Sequence, residues 1–170
     1  MTRGARPAGR WEPAELGVHP VAGEPYGSMP AYVRRPHDDR LRAVLDPAVA
    51  DSRLVVVRGE CCTGKSRAAY EAVADLLADW PLEYPPTAAA LAARLEAGIP
   101  AGTVLWLGEL HRYADGDGGA AALGRLAELI QGEGHLVITT IWSEHWEAYL
   151  AAAGAWRGAG DPDRTAGRRP

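Results

Sequence analysis

Three apolar runs punctuate the middle of the chain, each followed by small or polar residues and then by a stretch with helical spacing. Leu54-Val55-Val56-Val57, Thr103-Val104-Leu105-Trp106-Leu107 and Leu136-Val137-Ile138-Thr139-Thr140-Ile141 are continuous rather than alternating. That is the pattern of strands covered on both faces in a parallel sheet. The intervening segments read as helices. Arg67 to Leu77 carries strong helix formers with apolar residues at turn spacing, and Thr87 caps an alanine-rich helix, Ala88 to Glu96, closed by Gly98. Gly119 to Gln131 forms another. Ser143 caps a last one, Glu144 to Ala152, with Trp146 and Leu150 on its packed face. A short helix is expected from Asp38 to Leu45. Trp80 to Tyr84 reads as a short edge strand, because Pro81 bars it from a central position. Alternating strands and helices predict an α/β fold in three layers: a mostly parallel sheet with helices on both faces.

Residues 1–30 are rich in Gly, Pro and Arg without periodicity, and read as a flexible N-terminal segment. Residues 31–155 are the expected globular domain, and 156–170 a disordered tail. No apolar stretch approaches the roughly 20 residues that span a bilayer, so no membrane segment is expected. The arginines near the start precede no apolar run of the kind a secretion signal needs. The formal charge of −4 disfavours nucleic acid as a partner. The two cysteines are adjacent and cannot staple a fold, which fits a reducing, cytoplasmic setting.

The chemistry concentrates between the first strand and its helix. Gly59-Glu60-Cys61-Cys62-Thr63-Gly64-Lys65-Ser66 fits G-x-x-x-x-G-K-[ST] at every position. Lys65 is the only lysine among a Lys+Arg total of 18. A slim ammonium thus stands at the one place where a forked guanidinium suits poorly. The strand–loop–helix context predicts a P-loop NTPase fold, with loop amides and the helix N-terminus turned toward phosphates. Gly59, Glu60, Cys61, Cys62, Thr63, Gly64, Lys65, Ser66 and Arg67 are the expected nucleotide contacts. Lys65 would neutralise the β and γ phosphates, and Ser66 would ligate Mg²⁺.

A second apolar strand ending in an acidic residue usually completes such a site. Here that strand ends Leu107-Gly108-Glu109. Glu109 is the candidate general base, or a substitute metal contact beside Ser66. Gly108 stands where an acidic metal-shell residue is expected, so Mg²⁺ positioning and turnover should suffer more than nucleotide docking. Thr140, on the third strand, is the candidate reader of the γ-phosphate, against a plain strand threonine. In the sheet order common among such ATPases, that strand would lie between the other two. Cys61 and Cys62 read as small loop-fillers rather than redox centres, His111 as a surface histidine, and Trp142 and Trp146 as core. Arg34, Arg35, Arg40 and Arg42 line a nucleotide pocket or form a solvated basic face.

These motifs, in this order, together with Pro30-Ala31-Tyr32-Val33-Arg34-Arg35-Pro36-His37-Asp38 and Ile141-Trp142-Ser143-Glu144-His145-Trp146, resemble an actinobacterial group of P-loop ATPases. The chain is similar to signal-transduction ATPases with numerous domains, related to the AAA+ class, over roughly residues 15–150. The resemblance implies ATP with Mg²⁺ as ligand and nucleotide-dependent switching as the role. The group carries aspartate where Gly108 stands, which implies impaired metal binding and hydrolysis here. It also continues into a helical lid, a winged-helix region and repeats, for which no segment remains before Pro170. A truncated module, with a protein partner or further domains supplied elsewhere, is therefore expected. Two other readings stay open: a small P-loop kinase acting on a metabolite, and a relic that binds nucleotide without turning it over. Only Arg112 and Arg125 lie between residues 108 and 135, without the arginine cluster a kinase lid needs.

Overall fold

The β-branched run that precedes the glycine-rich loop forms one border of a five-stranded sheet. A computed structural model of the chain describes residues 5–19, 29–48 and 51–159. In chain order the elements are β1 (Arg6–Pro7), α1 (Pro36–Val44), β2 (Arg53–Gly59), α2 (Lys65–Leu76), β3 (Pro81–Glu83) and α3 (Ala88–Glu96). They continue with β4 (Val104–Glu109), α4 (Leu110–Ala114), α5 (Gly119–Leu129), β5 (Leu136–Trp142) and α6 (Ser143–Ala159). The strand order is β1-β3-β4-β5-β2, and every pairing is parallel except β1 with β3. β5 thus lies between the loop strand β2 and the Glu109 strand β4, as the sequence predicts.

Side-chain alternation along the central strands sorts the core into two layers. Val104 and Trp106 of β4, with Leu136 and Ile138 of β5, pack against Ala68, Ala69, Ala72 and Val73 of α2 and Leu41 of α1. Leu105, Leu107 and Val137 face the other way, onto Leu91 of α3 and Ala122 and Leu126 of α5. Each buried Val, Leu or Ile among them contributes about 1.5–3 kcal/mol through removal from water, and each Ala less. Small residues on α2 let it lie close on the sheet, which fixes where its N-terminus, and therefore Lys65, emerges.

The N-terminal segment departs from its sequence reading. Residues 5–19 pack onto the α2 layer, with Trp11 and Leu16 each only 2% exposed. Arg6–Pro7 pairs with Pro81–Leu82, while the Trp106 indole N–H donates to the Leu16 carbonyl at 3.1 Å and Tyr70 donates to the Trp11 carbonyl. Composition gave no hint of this, because isolated Trp and Leu residues among Gly, Pro and Arg carry no period. Consequently β3 is not an edge strand: β1 covers its outer side, and Pro81 is tolerated because that ladder spans only two residues, Pro7 opposite Pro81.

The expected helices form, and the short helix α4 joins them without having been read from the sequence. α6 extends to Ala159, past the boundary read at 155, and Leu150 is 51% exposed rather than packed. Thr87 caps α3 as read, its hydroxyl accepting from the Ala90 amide at 3.1 Å. The rest of the expected tail, residues 160–170, and part of the N-terminal segment, residues 1–4 and 20–28, lie outside the described residues. Among the described residues no helix is long and apolar enough to cross a membrane.

Candidate functional site

The loop between β2 and α2 is held by its own carbonyls and by a distant arginine. Thr63 Oγ1 and Lys65 Nζ both donate to the Glu60 carbonyl, at 2.9 and 2.7 Å. Gly64 (φ 82°) and Cys62 (φ 59°) adopt left-handed backbone, which folds the segment back over the helix start. Space at 59 is tight: a Cβ there would stand 3.0 Å from Thr63 Oγ1, which would have to shift, and 3.5 Å from the Lys65 side chain. None of the amides of Cys61 to Gly64 donates to a backbone carbonyl among the described residues. Beside them lie the unpaired first-turn amides that any helix presents. Such a concave set of free N–H groups, with a half-buried ammonium alongside, suits an anion.

Arg35 braces the loop from behind. Its guanidinium donates to the Thr63 carbonyl at 2.8 Å and reaches the Gly64 carbonyl at 3.5 Å. Its position is set by Asp38, fully buried, which accepts from the Arg35 amide and from Tyr32 Oη, each at 2.8 Å. Burial alone would raise the Asp38 pKa. The two hydrogen bonds and the neighbouring His37 and Arg35 charges outweigh it and hold the carboxyl below its ordinary value. The four arginines of this region therefore separate: Arg34 pairs with Asp39, Arg42 with Asp75, Arg40 is exposed, and Arg35 alone meets the loop.

The second half of the site depends on an irregularity. Trp106 pairs with Ile138 but Glu109 pairs with Thr140, so β4 carries one extra residue at Leu107–Gly108. A bulge of this kind re-aims the side chains beyond it. Regular alternation would turn Glu109 toward α3 and α5. The bulge instead places it in one row with Thr140 and Val57, on the α2 face that carries the loop. Thr139 Oγ1 donates to the Gly108 carbonyl at 2.8 Å and so pins the bulge. Thr140 Oγ1 is buried with no partner among the described residues, an orphaned hydroxyl beside the candidate base. The structure thus brings Lys65, Ser66, Thr140 and Glu109 to the C-terminal ends of adjacent parallel strands, where open α/β sheets bind ligands.

Around Glu109 the structure shows a cluster that the sequence reading missed. His111 is not a loose surface histidine: its ring stacks on His145 at 4.1 Å and 11°, with Trp142 tilted against both. Burial first, then the His145 charge, lowers the His111 pKa, against the opposing pull of Glu109 at 3.7 Å and Asp115. Both cysteines are exposed, with their sulfurs 3.3 Å apart. The proximity of Cys62 raises the Cys61 pKa, Lys65 lowers it, and Glu109 raises it.

The residues suit a nucleotide better than a free metal ion. The unpaired amides and Lys65 offer donors to phosphate oxygens; the Thr140 hydroxyl is buried in this structure and would join them only on rearrangement of the loop. For a divalent cation only Ser66 and Glu109 are at hand, because Gly108 brings no carboxylate. No group of three or more His, Cys, Asp or Glu side chains among the described residues could hold a metal. A cavity of about 80 Å³ lies at the opposite end of the sheet, lined by Asp51, Arg53, Trp80 and His135, remote from this chemistry. Comparison with protein-family models, with curated proteins and with solved structures returned no match to this chain.

Proposed function

We propose that the chain is an ATP-binding P-loop module, a regulatory ATPase domain of the signal-transduction type with impaired hydrolysis. One observation carries the reading: the lone lysine, Lys65, belongs to a loop whose Cys61 to Gly64 amides donate to no backbone carbonyl among the described residues, while β4 and β5 set Glu109 and Thr140 in one row on the α2 face. In this reading the amides of Cys61 to Gly64 and Lys65 bind the phosphate tail, and the Thr140 hydroxyl contacts its far end. Mg²⁺, when bound with the nucleotide, screens the phosphate charge, with Ser66 as its protein ligand. Glu109 orients water or meets the metal shell. The bond from Lys65 to the Glu60 carbonyl exchanges for a bond to phosphate, so ligand entry rearranges the loop. That rearrangement reaches Arg35 and α1, which gives a route for a nucleotide-dependent switch through differential affinity for two states. A cytoplasmic location and a protein partner belong to the same proposal.

A second reading, a relic that binds nucleotide without turnover, draws on Gly108, which leaves Glu109 as the only acidic side chain at the end of β4. Calorimetric titration with ATP and GTP, with and without Mg²⁺, tests both. Micromolar ATP binding with measurable hydrolysis supports the first, binding without hydrolysis the second. No binding of either nucleotide removes both.

A further inference from the structure

The two thiols of the phosphate loop form a pair that packing alone does not require. Adjacent side chains diverge in extended backbone. Here the left-handed conformation of Cys62 turns them to one side, with their sulfurs 3.3 Å apart. A left-handed backbone is unfavourable for a residue with a Cβ, where glycine or asparagine is usual. Both cysteines are exposed, and neither belongs to the hydrophobic core. A loop-filling role, the expectation from sequence, accounts for small size but not for convergence at the surface.

We propose that Cys61 and Cys62 are a redox modification site, a vicinal dithiol that a low-molecular-weight disulfide oxidises to an intramolecular disulfide. One thiolate attacks a sulfur of the small disulfide, forming a mixed disulfide and expelling the first small thiolate. The second cysteine thiolate then attacks the protein sulfur of that mixed disulfide. The Cys61–Cys62 bond forms and the second small thiolate leaves. The protein loses two electrons and two thiol protons, and the small disulfide gains them as two thiols.

Neighbouring Cα atoms lie about 3.8 Å apart, short of the roughly 4.4–6.8 Å that unstrained disulfides prefer. The product is therefore strained as well as exposed, the combination that makes a bond easy to reduce again. It behaves as a reversible mark and not as a staple. The ring would include the peptide unit between the two cysteines and fix the orientation of the Cys62 amide, one of the free donors of the loop. The effect of the mark on ligand binding rests on the phosphate-site reading above; the oxidation chemistry does not.

Trypsin releases both cysteines in one peptide, Gly59 to Lys65, which makes the test direct. The full chain is incubated with glutathione disulfide, digested without reductant, and the peptide is weighed. The expected result is loss of two hydrogens in a monomeric protein, reversed by dithiothreitol and absent in Cys61→Ser and Cys62→Ser. A peptide that stays reduced, carries only glutathione, or is linked to a second chain overturns the proposal. In parallel, ATP affinity of the wild type should fall roughly tenfold or more on oxidation, the loss of one or two charge-assisted hydrogen bonds. The double variant, Cys61→Ser with Cys62→Ser, whatever its affinity, should ignore the oxidant. If the disulfide forms and ATP affinity holds, the regulatory consequence is wrong. If the reduced protein fails to bind ATP, the phosphate-site reading fails, and the peptide mass still judges the dithiol.

Discussion

Thr139 donates its hydroxyl to the Gly108 carbonyl across the β4–β5 boundary, at 2.8 Å. This bond holds the extra residue that turns Glu109 onto the loop face. Thr139→Val keeps the shape and leaves a largely buried carbonyl unpaired, which should cost about 1–3 kcal/mol. Urea unfolding of the variant should show that loss together with slower ATP turnover. Full stability would mean that the bulge stands without the bond.

Lys65→Ala should abolish nucleotide binding, lowering affinity by about a hundredfold or more, as expected from losing a charge-assisted contact to phosphate. The free protein should remain folded, since in it Lys65 bonds only to the Glu60 carbonyl. Titration calorimetry beside a circular-dichroism melt separates the two effects. Unchanged ATP affinity would remove the phosphate site from this loop.

Gly108→Asp should raise Mg²⁺-dependent hydrolysis by about tenfold or more, by restoring a carboxylate beside the ion. The backbone admits the change: a Cβ at this position meets only Tyr84 Oη, at 3.7 Å, and the φ is not left-handed. Phosphate release assays on both proteins give the comparison. A flat rate with Glu109 intact would mean that the strand end does not serve the reaction.

The sheet and its helices were legible because they rest on periodicity, and the loop because the fixed spacing of Gly59, Gly64, Lys65 and Ser66 has few other uses. What stayed hidden depends on long-range contacts. Trp11 and Leu16 are core residues only because β1 finds β3 and the Trp106 indole finds the Leu16 carbonyl. Arg35 was one of four equivalent arginines until the fold placed Thr63 against it, 28 positions away. The His111–His145 stack joins α4 to α6 and has no local signature. The bulge could have been suspected from Gly108 inside an otherwise apolar strand, a known mark of irregular pairing.

Arg35→Ala should loosen the loop without emptying the core. Faster amide exchange across residues 60–64 and ATP affinity weakened about three- to tenfold are the expected outcomes. Arg35→Lys should recover little, because a single ammonium cannot span the Thr63 and Gly64 carbonyls as a planar fork does. Wild-type exchange in Arg35→Ala would show that the brace is idle.

Asp38 links stability to acid. Its folded pKa lies below the ordinary 3.8, so its contribution is complete above that value and is lost as pH falls through the lower folded pKa. Asp38→Asn should therefore be destabilised at pH 7, by about 1–3 kcal/mol, as the Arg35 amide and Tyr32 lose their charged acceptor. The gap to wild type should narrow as pH falls below about 4, where the unfolded carboxyl takes up a proton, and close once the folded carboxyl is protonated as well. Guanidinium titrations at pH 7 and pH 3 measure both differences; a constant gap would assign the stabilisation to shape alone.

Among the described residues the loop strand pairs with a strand late in the chain: Ser52 accepts from the His135 amide, 83 residues on, and β2 zips along the whole of β5. Such sequence-distant pairing is slow, since the intervening chain must be gathered before the contacts repay its ordering. Everything between β2 and β5 must assemble before the row of Val57, Thr140 and Glu109 exists. During refolding, competence to capture a ligand should thus appear with the last kinetic phase, after the local helices have formed.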